Sequence, residues 1–162
     1  MIPLADIVVD GTVRVAFVPA IANQAAPTTA ELNAGTLLQS VMTPDGLQNW
    51  QPTTAAVDNS ALDSTFTTST IGRDSFNNPV MQFKKQLTGD TVYNLLTRGT
   101  AGFVAIRRYI ASGTAWTSTQ PVEIYPTICG QTLGVDPAAN EVAKYQIPFM
   151  VTAAATIRAA VA

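Results

Sequence analysis

The sequence has 162 residues, of which 47% are hydrophobic and only 12% are charged, with a formal net charge of −2. This length is enough for one domain with a buried core, but the charged fraction is about half that of a typical soluble domain. DNA binding is not expected as the function because the nine basic residues are scattered, whereas affinity for nucleic acid comes chiefly from clustered Lys and Arg.

The low charge has two interpretations. Interface centres are depleted in charged residues, so much of the surface is expected to be covered by neighbouring molecules. The alternative is a weakly charged monomer or a secreted domain. The chain is also rich in threonine and alanine, with 22 and 24 residues, and threonine favours half-exposed β-strands.

The first predicted elements are a strand and a short helix. Val13, Val15 and Phe17 alternate with more polar neighbours, which predicts a strand. Farther on, Thr28 and Glu31 have the spacing of a capping box, and Gly35 follows as a stop signal. This pattern predicts a helix of one or two turns.

A weaker strand is predicted over Thr36–Met42, followed by a turn at Thr43–Gly46. The stretch Leu47–Asn78 then lacks a regular pattern, although large apolar side chains occur along it. Loops of such length are uncommon in compact domains and are usually functional or disordered, and disordered segments are poor in aromatic residues. We therefore expect a long loop that becomes ordered on a partner; the alternative is that its apolar residues fold back on their own core.

Alternating apolar residues predict three more strands, and one helix lies between them. The apolar positions of the strands are Met81, Phe83 and Leu87, then Val104, Ile106 and Ile110, then Val122, Ile124 and Ile128. The helix is predicted over Asp90–Arg98, with Gly99 as its stop signal.

The C-terminal part has the clearest alternation. Apolar residues occupy the odd positions from Ala143 to Val161, which predicts one long strand with a buried face. Pro148 is expected to bend or divide this strand. A helix over Ala153–Ala160 is the competing prediction.

These elements together predict a mainly β fold, an antiparallel sandwich or barrel with one flanking short helix. Residues 1–162 are expected to form a single domain, with an assembly loop at about 47–78.

Catalytic chemistry is not supported by the residues present. The sequence has no histidine and one cysteine, Cys129, so the usual general base, an intrachain disulfide and a cysteine zinc site are excluded. Asp58 and Asp63 are the closest candidates for a carboxylate pair, but aspartate in a Ser/Thr-rich loop more often forms turns. We expect no enzyme activity, no catalytic or metal residues and no cofactor.

Targeting signals are not evident either. The first basic residue is Arg14, so a secretory signal is not expected, and no apolar stretch is long enough to suggest a membrane span. We expect the chain to be made and folded in the cytoplasm.

Four segments resemble one protein family. The short strand Val13–Phe17, the segment Ala26–Gly35, the turn Thr43–Gly46 and the segment Thr70–Phe76 are similar to the major tail tube proteins of long-tailed, siphovirus-like bacteriophages, particularly those infecting actinobacteria. The resemblance implies a β-sandwich or barrel assembled into hexameric rings, which stack into a hollow tail tube through which genomic DNA passes without specific binding. It also implies a location in the virion tail, and contacts with tape measure, tail terminator and tip proteins.

Alternative functions are a capsid decoration or host-attachment module and the tube protein of a secretion system. Under the tail tube hypothesis the long loop reaches a neighbouring subunit, and polar strand faces line the lumen. The candidate residues for contacts between subunits are Trp50, Phe66, Ile71, Arg73, Asp74 and Phe76. The candidate lumen-facing residues are Gln82, Lys84, Gln146 and Thr152.

Overall fold

The computed structural model describes residues 4–162, which form eleven strands and two short helices. In chain order these are β1 Arg14–Val18, α1 Thr29–Asn33, β2 Thr36–Leu37, β3 Met42–Gln48, β4 Thr53–Asp58, β5 Ser69–Ser75, β6 Val80–Lys84, α2 Thr91–Leu95, β7 Ala101–Arg107, β8 Pro121–Cys129, β9 Leu133–Gly134, β10 Lys144–Val151 and β11 Thr156–Ala160. The predicted mainly β fold is confirmed, with two helices rather than one.

Nine of these strands form a single curled antiparallel sheet. Its order is β2-β1-β7-β8-β10-β6-β3, with β11 also paired to β8 and β9 to β10. The strand β10 joins two halves, because Lys144–Pro148 pairs with β6 while Phe149–Val151 pairs with β8. The sheet therefore folds over on itself as a half-barrel.

The main core lies between the two halves of the curled sheet. It consists of Val15, Phe17, Leu38, Trp50, Met81, Phe83, Val92, Leu96, Val104, Ile106, Tyr125, Cys129, Tyr145, Ile147 and Phe149. The predicted alternation of β6 and β10 is confirmed here, since Met81, Phe83, Tyr145 and Ile147 all point into this core. Leu87 is an exception: it lies beyond the end of β6 and is exposed.

A second core covers the opposite face of β1, β7, β8 and β11. It includes Ala16, Val18, Ile21, Leu32, Ala105, Trp116, Val122, Ile124, Ala159 and Val161. The prediction of one polar face on β1 is wrong, because Arg14 and Ala16 are also buried. Both faces of this half of the sheet are therefore covered.

Two arginines help to close the second core. The Arg107 side chain is fully buried and donates hydrogen bonds to the carbonyls of Ala111, Thr114 and Ala115, and to the Gln120 side chain. The Arg14 and Arg107 guanidinium carbons each lie 5.1 Å from the Trp116 ring centroid. Burial lowers the pKa of both groups, and the charge of Arg14 lowers that of Arg107 further. The cluster fixes the connection between β7 and β8.

Both helices begin at a side-chain cap. The predicted capping box is confirmed: the Glu31 backbone N–H donates to Thr28 Oγ1 at 3.2 Å, and the Thr28 N–H donates to the Glu31 carboxylate at 2.9 Å. The second helix is shorter than predicted and starts after Asp90, whose carboxylate accepts from the Tyr93 N–H and forms an ion pair with Lys85 at 2.8 Å. Neither helix is long or apolar enough to cross a membrane.

The C-terminal segment is two strands rather than one. The interruption falls at residues 152–155, not at Pro148, which stays within β10. Both β10 and β11 pair with β8, at Thr127–Cys129 and at Pro121–Ile124, so they form one interrupted strand along it. The competing helix over Ala153–Ala160 is wrong. The predicted turn Thr43–Gly46 likewise lies inside β3, at a register shift between Met42 and Leu47.

Candidate assembly surface

The segment predicted to be a long loop contains a β-hairpin. Strands β4 and β5 pair with each other as a separate two-stranded sheet, with residues 59–68 as its tip. All residues of β4, and all of β5 except Gly72, are exposed. Because both faces meet solvent, the sequence shows no period-two alternation, and the strands were missed for this reason.

Local contacts give the hairpin its shape. The Thr54 hydroxyl donates to Asp74 at 2.6 Å, next to a register shift in the ladder. A side chain at Gly72 would place its Cβ only 2.9 Å from the Ala55 carbonyl oxygen and from a Val57 methyl. Glycine is needed there because the two strands approach so closely.

Aromatic residues anchor both ends of the hairpin to the body. The Trp50 and Phe76 rings lie before β4 and after β5, and their centroids are 5.2 and 5.6 Å from that of Tyr125. The Trp50 indole N–H donates to the Val80 carbonyl, and the Tyr125 hydroxyl donates to the Trp50 carbonyl. Burial raises the pKa of Tyr125 above its ordinary value.

Two of the candidate intersubunit residues are thus enclosed by their own subunit. Trp50 is only 2% exposed, and Phe76 is half-buried against Tyr125. Their aromatic surface is already used in the core, so the alternative interpretation, folding back on the chain's own core, holds for these two residues.

The other candidates lie on the exposed hairpin. Phe66, at the tip, is 78% exposed, and Ile71, on β5, is 81% exposed. Val57 and Leu62 are also exposed there; they belong to the same apolar set, although the sequence prediction did not include them. A two-stranded ribbon is at best marginally stable alone in water, so this apolar surface favours contact with another molecule.

Arg73 and Asp74, the adjacent charged residues on β5, differ in their contacts. Asp74 accepts the Thr54 hydroxyl, as described, whereas Arg73 is exposed and forms no ion pair within residues 4–162. Asp58 at the end of β4 accepts the Ser60 backbone N–H, which lowers the pKa of that carboxyl. It therefore has the turn-forming role expected from the sequence.

A groove of about 700 Å³ runs along the base of the hairpin. One wall is formed by Pro52, Arg73, Asp74, Ser75, Phe76, Asn78 and Pro79, and the other by Phe149, Met150, Val151, Thr152, Ala153, Ala154, Ala155 and Ile157. We call it the hairpin groove. Met150 and Ile157 are exposed within it.

Three of the four candidate lumen residues share one face of the sheet. Gln146 pairs with Gln82, and Lys144 with Lys84, on the side of β10 and β6 opposite the core. Gln82 is only 7% exposed and accepts a hydrogen bond from the Thr43 hydroxyl, so β3 of the same subunit covers it. Thr152 lies apart, exposed in the connection between β10 and β11.

Residues 4–10 form an exposed N-terminal arm without helix or strand. Its aliphatic residues Leu4, Ile7, Val8 and Val9 are all exposed. Sequence reasoning did not single out this arm, although the apolar run Ile7–Val9 ahead of the first predicted strand is the signal for it.

Within the described residues no cluster of His, Cys, Asp and Glu is suited to hold a metal ion.

Solved structures share this architecture. Seven chains match, and one of them, in the cryo-EM structure of the anti-feeding prophage baseplate, 6-fold symmetrised, has a TM-score of 0.61 at 8% sequence identity. The match covers 93% of this chain and 95% of that one. At this identity the likeness shows a common fold. No curated protein matches the sequence.

A family model described as phage tail tube protein matches residues 1–162. The chain therefore belongs to the phage tail tube protein family, and it is a structural protein of the virion tail. The predicted resemblance is confirmed at the level of the family. A capsid decoration or host-attachment module is set aside by the same assignment.

Proposed function

We propose that this chain assembles with copies of itself into hexameric rings that stack into the hollow tube of a phage tail, and that genomic DNA passes through the tube. The exposed hairpin carries the proposal. Its apolar side chains have no cover within the subunit, and a polymer of identical copies supplies that cover at every repeat. The six-fold symmetry of the anti-feeding prophage baseplate, whose chain has the same fold, supports a hexameric ring.

The hairpin is the contact between subunits in this proposal, through Phe66, Ile71 and the unpaired Arg73. Burying one such apolar side chain fully contributes about 1.5–3 kcal/mol. Arg73 supplies a charge that selects the orientation of the neighbour, since electrostatic complementarity sets specificity. Trp50 and Phe76 hold the hairpin in position.

The size of the proposed tube follows from strand geometry. If each of six subunits gives about four strands to a shared barrel, roughly 24 strands spaced about 4.8 Å apart and tilted by about 40° enclose a wall about 45–50 Å across. Side chains leave a lumen of roughly 35–40 Å, wide enough for a DNA duplex. Lys84 and Gln146 are the polar residues proposed to face it, and the tape measure, terminator and tip proteins are the proposed partners.

The hairpin proposal is tested by shortening the hairpin. Thr53 and Ser75 are direct partners in the ladder, so replacing residues 54–74 by Asn-Gly closes the two strands with a short turn. Trp50 and Phe76 remain in place. We expect a folded, soluble subunit by circular dichroism that no longer forms tubes by negative-stain electron microscopy.

A matched pair of substitutions provides the control. Phe66→Ala with Ile71→Ala removes exposed apolar surface, and Thr67→Ala with Thr70→Ala changes exposed polar residues of the same hairpin. The first pair is expected to prevent assembly and the second to preserve it. Full-length tubes from the shortened variant would contradict the role of the hairpin, and its failure to fold would assign the hairpin to the core.

DNA passage is tested by binding. A conduit must let the duplex slide, so assembled protein is expected to show negligible affinity for duplex DNA at physiological salt. Sub-micromolar binding with a steep salt dependence would contradict a conduit.

A further inference from the structure

The N-terminal arm exposes aliphatic side chains that no contact within its own subunit covers. Its root is fixed, because the Ser112 N–H donates to the Gly11 carbonyl at 2.8 Å and the Thr12 N–H donates to the Val9 carbonyl at 3.1 Å. Beyond that root, the backbone N–H groups of residues 4–9 donate no hydrogen bond within the described chain. Residues 4–8 therefore have main-chain groups without a partner in the described chain, and their side chains are exposed.

The hairpin groove shows the complementary properties. Its second wall includes the interruption between β10 and β11, where the N–H groups of Ala153, Ala154 and Ala155 also donate no hydrogen bond within residues 4–162. Small side chains there leave the backbone accessible. An extended peptide can pair with such free groups by strand addition while its side chains enter the groove.

Charge gives the orientation. In an extended arm, Ile7 points to one side, and Asp6 points to the other. Asp6 forms no ion pair within the described residues. Arg73, on the first wall of the groove, is an unpaired cation. With Ile7 in the groove, the Asp6 carboxylate lies at its rim, where Arg73 is available.

We propose that the N-terminal arm of one subunit lies in the hairpin groove of a neighbouring copy in the tube. The inference rests on the proposed function, since it takes the neighbour to be a second copy of this chain. It adds a second contact to the one made by the hairpin itself, and it joins subunits through main-chain hydrogen bonds as well as apolar burial.

Cross-linking tests the placement. Subunits carrying Ile7→Cys are mixed with subunits carrying Ala154→Cys, assembled, oxidised and analysed by mass spectrometry of the linked peptides. A link between the two variants joins different subunits by design, and the native Cys129 is buried. The control pair is Ile7→Cys with Ala138→Cys, an exposed site outside the groove.

We expect the Ile7–Ala154 link in tubes, at least tenfold above the control pair, and its absence from unassembled subunits. Tubes without this link would overturn the proposal, as would a link from Phe66→Cys to Ala154→Cys in its place, which would assign the groove to the hairpin tip. If the unaltered chain forms no tubes, the proposed function itself fails, and the two failures are distinguished by microscopy of that chain.

Removal of residues 1–8 is a second test. The truncated subunit is expected to fold with an unchanged circular dichroism spectrum, because the core lies outside the arm. Its critical concentration for assembly is expected to rise at least tenfold, and an unchanged critical concentration would overturn the proposal.

Discussion

Replacement of Trp50 by alanine is expected to destabilise the unassembled subunit strongly. Loss of a buried tryptophan side chain typically costs about 3–5 kcal/mol. Here the ring packs against Tyr125 and Phe149 at centroid distances of 5.2 and 5.4 Å, and its N–H donates to the Val80 carbonyl. We expect a loss of about 4 kcal/mol in the free energy of unfolding, which corresponds to a Tm lower by roughly 8–16 °C for a chain of this size.

The assay is urea unfolding followed by circular dichroism, at a concentration below that of assembly. Phe66→Ala is the matched control, because this exposed aromatic residue is expected to change subunit stability by less than about 0.5 kcal/mol. A Trp50→Ala subunit within about 1 kcal/mol of the unaltered chain would refute the assignment of Trp50 to the core and return it to the intersubunit candidates.

Three further changes have defined outcomes. Arg107→Lys is expected to lose about 3 kcal/mol or more in urea unfolding, because an ammonium cannot reproduce the four hydrogen bonds of the buried guanidinium; wild-type stability would show that these bonds are dispensable. Gly72→Ala is expected to reduce tube formation in electron micrographs while leaving the urea midpoint unchanged, since the added Cβ meets the Ala55 carbonyl but no core residue; normal tubes would contradict this. Burial raises the pKa of Cys129 from 9.0 to about 11, so the folded subunit keeps a proton that the unfolded chain releases, and stability falls as pH rises from 9 towards 11. Cys129→Ala is expected to reduce this loss between about pH 9 and about pH 11 in urea unfolding, and an identical slope in both proteins would exclude the thiol as its source.

The sequence predicts those parts of the fold in which one face is buried and the other is not. Tyr145, Ile147 and Phe149 show the period of a strand because the core lies on one side of β10, and the capping box depends only on neighbours along the chain. The alternation of apolar and polar residues does not reveal a strand whose two faces are equally buried or equally exposed. It misjudges β1, whose two faces are both covered, and it misses β4 and β5, whose two faces are both exposed.

The candidate site is harder to predict because it depends on distant contacts. Trp50 and Phe66 are both large aromatic residues in the same polar stretch, and nothing local distinguishes them. Tyr125, which lies 75 positions beyond Trp50 in the sequence, assigns Trp50 to the core. The hairpin groove likewise combines residues around β5 with the β10–β11 connection, and no short motif shows that juxtaposition.

The two strands of the hairpin are already paired where they leave the body, so the length of the hairpin can change without altering the body. Its two strands leave the body side by side, at paired residues Thr53 and Ser75, and the aromatic contacts that hold them lie outside the ladder. Residues can therefore be added or removed in pairs along the ribbon without moving Trp50, Phe76 or the sheet beneath them. Chimaeras that carry hairpins of other lengths on this body are therefore expected to fold alike. They are expected to differ in the distance between successive copies.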